Sequence, residues 1–280
     1  MHDHLTAGLS LKPEHFAPAL SSQADGLWFE VHPENYMVAG GPRLGWLEAI
    51  RSEHPVSLHG VSLSLAGDAE PDTPHLQRLA ALAQRIQPTL ISEHLAWSTW
   101  QGQYFPDLLP FPRTNVALNR IAANIARSQD ALARPIAIEN PSHYLHIDGH
   151  EWDEIDFLNA LAQRTGCSLL LDINNVYVSA RNLGFCAEDW IDRFPHARVS
   201  EIHLAGHTVD PQWGAELLID SHDAPVAPEV WALYRRFIER AGPKPTLIER
   251  DGNVPDFEVL MAERLQAAEE LQRTPDEVTP

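Results

Sequence analysis

Residues 168–175 read Ser-Leu-Leu-Leu-Asp-Ile-Asn-Asn, and this stretch decides the fold. The apolar run is too short for an independent helix and has the length of a buried strand in a parallel sheet. It stops at Asp172. A carboxylate buried at that place would lose its hydration, and a nearby cation would be needed to offset the cost. The same arrangement recurs at seven other places in the chain, and this recurrence predicts the architecture.

Eight such apolar runs alternate along the chain with segments of helical periodicity. Strands are expected at residues 7–11, 26–31, 56–61, 89–91, 135–138, 168–172, 199–204 and 246–248. The alternation predicts an α/β fold, a single (β/α)8 TIM barrel over residues 1–273, with a flexible C-terminal tail at residues 274–280. An open doubly wound sheet is the alternative, but the sequence lacks the glycine-rich phosphate motifs that would favour it.

Composition narrows the possible functions. The chain has 280 residues, 44% of them hydrophobic, which is enough for a large buried core. Its 20 basic and 39 acidic residues give a net charge of −19, which argues against a nucleic-acid partner because phosphate binding needs clustered Lys and Arg. No apolar run reaches the roughly 18 residues of a membrane span, and no secretory signal pattern is found. A cytoplasmic protein with no membrane partner is expected.

The two cysteines indicate little chemistry. Cys167 directly precedes a predicted strand and is expected to be a small core residue. A disulfide with Cys186 is not expected in a reducing compartment. No convincing Ser-His-Asp or Cys-His nucleophile arrangement is found.

Acids and imidazoles mark the ends of the predicted strands, where a barrel of this kind carries its active site. Seven of the eight strands end in or beside such a residue, although strands buried on both faces are normally apolar. These residues are Glu30, His59, His94, Glu139, Asp172, His203 and Glu249. Four further candidates follow shortly after strand ends, namely Asn175, His207, Asp220 and His222.

A buried ring of carboxylates and imidazoles would repel itself and lose hydration, and divalent cations remove both costs. Mixed His and carboxylate ligands without a thiolate suit iron, manganese or zinc. The ligands outnumber the needs of one ion, so two or three metals with a bridging carboxylate are predicted.

Single residues in this set have other interpretations. Glu30 is equally well explained as a structural acid paired with an arginine. Glu93 precedes His94, and because neighbours in a strand point to opposite faces, only His94 is expected in the site. Asp220 and His222 would share one face if their loop is extended. Eight further histidines are expected to be solvated; they are His2, His4, His32, His75, His143, His146, His150 and His196.

Several segments, in order, resemble the methanobactin-synthesis MbnB-like family of multinuclear non-haem iron enzymes. The segments are GLSLKPEH (8–15), FEVHPENY (29–36), SLHGVSLS (57–64), SEHLAW (92–97), IENPS (138–142), LDINNVY (171–177) and EIHLAGH (201–207). The resemblance covers about residues 8–261 and is nearest to the branch linked to bufferins, which are copper-binding modified peptides.

The resemblance implies a xylose-isomerase-like TIM barrel that holds two or three iron ions in mixed Fe2+/Fe3+ states and uses O2 as co-substrate. The implied substrate is a cysteine-containing, ribosomally made precursor peptide, modified at cysteine to an oxazolone with thioamide, a thiooxazole or a related product. A small MbnC-like partner protein would recognise the leader of this peptide.

The resemblance also groups the candidate residues into three iron sites. The first would be held by His59, His94 and Glu139. Glu139 would bridge to the second, which is completed by Asp172, His203 and Glu249. The third would consist of Asn175, Asp220 and His222, with His207 beside it as the catalytic residue.

Two other functions stay open on the sequence alone. One is a metal-dependent isomerase or phosphodiesterase built on the same barrel. The other is a metal-loaded scaffold that binds a peptide without catalysis.

Overall fold

A closed parallel barrel forms the body of the computed structural model, which describes residues 5–273. The strands are β1 (Ala7–Ser10), β2 (Phe29–Val31), β3 (Val56–Gly60), β4 (Leu90–His94), β5 (Trp97–Trp100), β6 (Gln103–Leu109), β7 (Ala137–Glu139), β8 (Ser168–Asp172), β9 (Val199–Leu204), β10 (Thr208–Asp210), β11 (Gly214–Ile219) and β12 (Thr246–Ile248). The barrel order is β1-β2-β3-β4-β7-β8-β9-β12.

Helices cover the outside of the barrel. They are α1 (Phe16–Ser21), α2 (Pro42–Glu53), α3 (Thr73–Ile86), α4 (Asn115–Leu132), α5 (Glu154–Thr165), α6 (Ile173–Leu183), α7 (Ala187–Arg193), α8 (Pro228–Ala241) and α9 (Phe257–Gln272). Short 3-10 turns lie at Pro13–His15, Pro33–Asn35 and His196–Arg198.

Closure of the barrel confirms the predicted fold and removes the open-sheet alternative. Strand β1 pairs in parallel with β2 through Leu9 and Phe29, and with β12 through Gly8 and Leu247. The first and last barrel strands are therefore neighbours, as a closed sheet requires.

The helices pack through apolar faces whose spacing is visible in the sequence. In α3, Leu76, Leu79, Ala83 and Ile86 recur at helical intervals and are all buried. Asp72 caps this helix by accepting from the backbone N–H of His75. Burial of each large aliphatic side chain contributes roughly 1.5–3 kcal/mol.

Apart from short 3-10 turns, three elements occupy segments for which no strand or helix was predicted. Two are antiparallel hairpins, β5–β6 and β10–β11, which follow barrel strands at the C-terminal end of the barrel. The third is α6, which begins directly after Asp172 at the end of β8. Asp172 is the N-cap of α6, since its side chain accepts from the backbone N–H of Asn175.

The cysteines, the chain ends and the question of a membrane span were the other subjects of prediction. Cys167 is buried, as predicted, and both cysteines are free. The predicted tail at residues 274–280 lies outside the described residues, as do His2 and His4. Between residues 5 and 273, no helix combines the length and apolar character needed to cross a membrane.

Candidate metal centre

The C-terminal ends of the barrel strands bring most of the predicted ligands together. Within residues 5–273, five groups of three residues have ligand atoms that all lie within 4.8 Å of one another. The groups are Glu30–His59–His203, His59–His94–Glu139, His32–Glu249–Asp251, Glu139–Asp172–His203 and Asp172–His222–Glu249. Because the groups share members, they form one continuous cluster, called the centre below. It contains seven of the nine predicted ligands, all except Asn175 and Asp220.

The first group joins the ends of β3, β4 and β7. The Nε2 atoms of His59 and His94 lie 3.1 and 3.2 Å from Oε2 of Glu139. The other ring nitrogens are held elsewhere, His59 Nδ1 at 2.7 Å from Ser92 Oγ and His94 Nδ1 at 2.9 Å from the carbonyl oxygen of Gly60. Because a carbonyl only accepts, His94 carries a proton on Nδ1, and its Nε2 lies 3.3 Å from Nε2 of His59, from which it can accept. Metal-binding histidines are usually held in this way.

Glu93 lies outside the five groups, although it is the neighbour of His94 in β4. Its carboxylate lies against Gly60, where an added Cβ would come within 2.2 Å of Glu93 Oε2. Burial, together with the nearby Glu34, raises the pKa of Glu93 well above its ordinary value. Glu93 therefore contacts the residue whose carbonyl holds His94.

Asn175 links the carboxylates of Glu139 and Asp172. Its Nδ2 donates to Glu139 Oε1 at 3.1 Å and to the carbonyl oxygen of Asn140 at 3.0 Å, and its backbone N–H donates to Asp172 Oδ1 at 2.6 Å. Both partners of Nδ2 are acceptors, so the orientation of the amide is fixed by its contacts. In the described structure this leaves three buried oxygens without a hydrogen-bond partner: Asn175 Oδ1, Glu139 Oε2 and Asp172 Oδ2.

His203 is fully buried between two carboxylates. Its Nε2 lies 3.1 Å from Glu30 Oε1, and its Nδ1 lies 3.1 Å from Glu249 Oε2. Neither contact is aligned as a hydrogen bond, so both ring nitrogens lack such a partner among the residues described. Burial disfavours a charged ring, but Glu30 and Glu249 outweigh it and raise the pKa of His203 well above its ordinary value.

Asp220 and His222 follow β11 and reach over the mouth of the barrel. His222 Nε2 lies 2.8 Å from Asp220 Oδ1, and His222 Nδ1 lies 3.2 Å from Glu249 Oε2. The two side chains therefore contact each other, although His222 has a left-handed backbone (φ 48°) and not the extended one on which the predicted shared face depended. His222 Nε2 is also 3.8 Å from Asp172 Oδ2, so this loop approaches the centre from outside the barrel.

His207 is connected to the centre only through other side chains. Its Nδ1 lies 2.9 Å from Asn174 Oδ1, and Asn174 Nδ2 donates to Asp220 Oδ1 at 2.7 Å. Because the Asn174 amide donates through its nitrogen, its oxygen must accept, and His207 carries its proton on Nδ1. Burial lowers the pKa of His207 despite nearby acids.

Sequence reasoning left the role of Glu30 undecided and did not include Glu201 among the candidates. The partners of Glu30 are Ser57 Oγ, which donates to Oε2 at 2.6 Å, and His203; the arginine partner that was considered is not the one found. Glu201 points into the same region, with Oε1 at 3.7 Å from His203 Nε2. Burial and the charge of Glu30 raise the pKa of Glu201 to about 8. Both acids lie on barrel strands, Glu30 on β2 and Glu201 two residues before His203, so alternation along the strand was the available signal.

The expectation that His32 is solvated was wrong. Its Nδ1 lies 3.1 Å from the carbonyl oxygen of His59, and its Nε2 lies 3.7 Å from Asp251 Oδ1. Asp251 was missed altogether, although it follows Glu249 by two residues. Asp251 also forms an ion pair with Lys12, whose Nζ lies 2.6 Å from Asp251 Oδ1, so a lysine lies at the edge of the centre.

Two more histidines expected in solvent are also partly buried. His143 Nε2 lies 2.7 Å from Glu154 Oε1, and His75 Nε2 lies 3.6 Å from Glu34 Oε1. The remaining three, His146, His150 and His196, are exposed as predicted.

The residues present fit bound cations. Glu139 Oε2, Asp172 Oδ2 and Asn175 Oδ1 are hard oxygen donors in a buried place, and the described structure offers them no hydrogen bond. Burial alone would raise the pKa of Glu139, but His94 and His59 lower it to about 2. Burial would likewise lower the pKa of His59, yet Glu139 and Glu30 raise it to about 10. Protons on the imidazoles thus balance the carboxylates, and cations can take their place.

A cavity of about 210 Å³ opens onto the centre from the C-terminal end of the barrel. Its walls include His94, Glu139, Asn175 and His222, together with Leu108 from the β5–β6 hairpin. The cavity therefore gives a small group direct access to the candidate ligands.

The barrel and its centre define a class of protein, a TIM barrel with a candidate metal site at its C-terminal mouth. Solved structures share the fold. One is a xylose isomerase-like TIM barrel protein from Mycobacterium smegmatis in complex with magnesium (TM-score 0.60, 12% identity, covering 95% of this chain and 96% of that one). Another is endonuclease IV from Thermus thermophilus (TM-score 0.54, 16% identity, covering 95% and 98%). At these identities the likeness shows the fold alone.

Sequence comparison assigns the chain to one family among the proteins that share this fold. The family model for the RiPP precursor modification enzyme MbnB/TglH/ChrH matches residues 6–272, and the chain belongs to this family. A UPF0276 protein of Caulobacter vibrioides (strain NA1000 / CB15N) is 62% identical over 262 residues, covering 94% of this chain and 93% of the relative. UPF0276 protein RB0508 of Rhizobium meliloti (strain 1021) is 50% identical over 267 residues, covering 95% and 86%. Membership supports action on a ribosomally made precursor peptide, as the sequence resemblance implied.

Proposed function

We propose that this protein is an iron-dependent oxidoreductase that uses O2 to modify cysteine residues of a ribosomally made precursor peptide. The product would be an oxazolone with thioamide, a thiooxazole or a related group. Iron, when bound, supplies affinity for a cysteine thiolate and one-electron chemistry with O2.

The observation that carries this proposal is the set of buried ligand atoms that lack a hydrogen-bond partner. A structural charge network would end in hydrogen bonds, whereas Glu139 Oε2, Asp172 Oδ2 and Asn175 Oδ1 end in none among the described residues. Together with family membership, this supports a loaded metal centre at the point where the cavity admits a substrate group.

The residue roles follow the three groupings expected from the resemblance. His59, His94 and Glu139 would hold the first iron, and Glu139 would bridge to the second, which Asp172, His203 and Glu249 complete. Asn175, Asp220 and His222 would hold the third. The irons, two or three in number, would be present in mixed Fe2+/Fe3+ states.

His207 is the proposed catalytic residue. Its Nδ1 proton is committed to Asn174, so its Nε2 lone pair is the one available to a substrate. The low pKa keeps the ring neutral at pH 7, as a general base requires. In this role His207 would accept a proton released from the peptide.

The peptide is expected to arrive with help. The leader would be recognised by a small MbnC-like partner protein, and the pathway would belong to the bufferin-linked branch. Pull-down of a leader-binding protein encoded beside this chain, with mass analysis of the peptide before and after reaction, examines both parts of this proposal.

The first experiment is elemental analysis of protein purified without oxygen from iron-supplied cells. About two to three irons per chain would support the proposal. Zinc, manganese or magnesium in their place would favour a metal-dependent isomerase or phosphodiesterase, and absence of metal would refute the centre. His59→Ala should lose iron and peptide modification, whereas His196→Ala, a change at an exposed histidine outside the centre, should retain both. Iron-loaded protein that leaves the peptide mass unchanged would indicate a non-catalytic scaffold.

A further inference from the structure

A side chain joins strands β7 and β8 beyond their last paired residues. The parallel register ends where Glu139 is opposite Leu170. Past that point, Asn140 Nδ2 donates to the carbonyl oxygen of Asp172 at 3.0 Å, and Asn140 Oδ1 accepts from the backbone N–H of Asp172 at 2.9 Å. The amide of Asn140 thus replaces a backbone partner and continues the ladder. It is 1% exposed, so these hydrogen bonds are shielded from water.

The backbone of Asn140 makes a second connection. Its carbonyl oxygen accepts from Asn175 Nδ2 at 3.0 Å, beside the contact of the same Nδ2 with Glu139 Oε1. Two acceptors therefore hold the amino group of Asn175, and its oxygen is directed elsewhere. One residue thus fixes the main chain of Asp172 and the amide orientation of Asn175.

We propose that Asn140 is a positioning residue that sets which oxygens Glu139, Asp172 and Asn175 present to bound cations. Each of these three residues has one polar atom in the hydrogen-bonded frame and one oxygen left over without a partner in the described structure. This inference rests on the proposed metal centre. It concerns Asn140, which does not itself bind the ion.

Two substitutions of Asn140 distinguish the effect of its hydrogen bonds from the effect of its side-chain volume. Asn140→Ala leaves the N–H and the carbonyl of Asp172 without their partners. Asn140→Asp keeps the shape and the acceptor for the N–H, but it places a carboxylate oxygen against the carbonyl of Asp172. Both should weaken metal binding by about 10–100-fold, the range found when groups supporting a metal ligand are removed.

Asn124→Ala provides a matched control. Asn124 is 3% exposed, and its Nδ2 donates to the carbonyl oxygens of Leu65 and Ala69 at 3.0 and 3.3 Å, with no contact to a candidate ligand. Its loss should reduce the free energy of unfolding by an amount similar to that for Asn140→Ala, but leave metal binding unchanged.

The test is a titration of the metal-free, full-length chain with Co2+, followed by its ligand-field absorption and by competition with a chelator. We expect both Asn140 variants to show weaker Co2+ binding and an altered absorption spectrum. Unchanged affinity and spectrum in the Asn140→Asp protein, which preserves the side-chain shape, would overturn the inference even if Asn140→Ala fails to fold. Absence of Co2+ binding by the unsubstituted chain would instead refute the proposed centre, and the inference with it.

Discussion

Glu139→Gln is the most informative single change, because it removes one charge and almost no volume. Glu139 is 1% exposed, and its Oε2 lies 3.1 Å from His59 Nε2 and 3.2 Å from His94 Nε2. Its other oxygen accepts from Asn175, so the new amide would keep its oxygen there and turn its NH2 group to the histidines. That group donates where the centre needs an acceptor, and metal binding should be lost at both positions that Glu139 is proposed to share.

The size of the effect on the metal-free chain follows from the ion pair. The pKa of His59 is about 10, because Glu139 and Glu30 outweigh the cost of burial. At pH 7 this corresponds to about 4 kcal/mol of preference for the protonated ring, at about 1.36 kcal/mol per pH unit. This value is a ceiling, since His59 can release its proton once Glu139 is neutral and Glu30 still contributes. We expect the free energy of unfolding to fall by about 2–4 kcal/mol.

Glu201→Gln is the matched control. Glu201 is also fully buried beside a histidine, but its pKa of about 8 means that it is mainly protonated at pH 7. An amide in its place changes little charge, and the free energy of unfolding should change by less than about 1 kcal/mol. Denaturant unfolding of both metal-free variants at pH 7 makes the comparison. Equal losses for the two proteins, or undiminished metal binding by Glu139→Gln, would refute the assigned charge states.

Three further outcomes are expected. Metal affinity should fall on acidification, by about tenfold per pH unit for each proton displaced, because His59 is protonated below its pKa of about 10 and must lose that proton to bind; chelator competition across pH measures the slope. Cys167→Ser should retain peptide modification, since this thiol is buried outside the centre, and an inactive enzyme would reveal a missed role. Gly206→Ala should lower the free energy of unfolding by about 1–3 kcal/mol, because the added Cβ would come within 2.1 Å of the carbonyl oxygen of Ala224. In Gly45→Ala, within α2, the added Cβ meets nothing within 4 Å, so this change should raise the free energy of unfolding.

The barrel was predictable because each of its strands carries its own signal. A short apolar run followed by an acid or imidazole recurs along the chain, and only a closed parallel sheet brings all eight strand ends together. The β5–β6 hairpin carries no comparable signal, because residues 103–109 are mostly exposed and show no alternating burial. Helix α6 was missed because its first turn contains Asn174 and Asn175, which resemble a loop, whereas the capping by Asp172 is visible only in three dimensions.

The centre was less predictable than the barrel. Strand-end position selects residues such as His59 and Glu139, but it does not distinguish a ligand from an acid with a structural partner, and Glu30 stayed ambiguous for that reason. Asn140 is invisible to such reasoning, since its role depends on hydrogen bonds to the neighbouring strand. Asp251 lies beyond the last barrel strand, and its place in the centre depends on the path of the loop that follows.

The choice of counterion explains how one arrangement can be stable both with and without metal. The buried carboxylates of Glu139 and Glu249 have imidazoles as their neighbours in the described structure, namely His59, His94, His203 and His222. An imidazolium can release its proton and become a ligand, whereas an arginine or lysine would stay charged and repel the incoming cation. Lys12, at this end of the barrel, is paired with Asp251 at the edge instead. Metal loading should therefore exchange protons for cations with little movement of the ligands, and the protons released on Co2+ addition to unbuffered metal-free protein would measure that exchange directly.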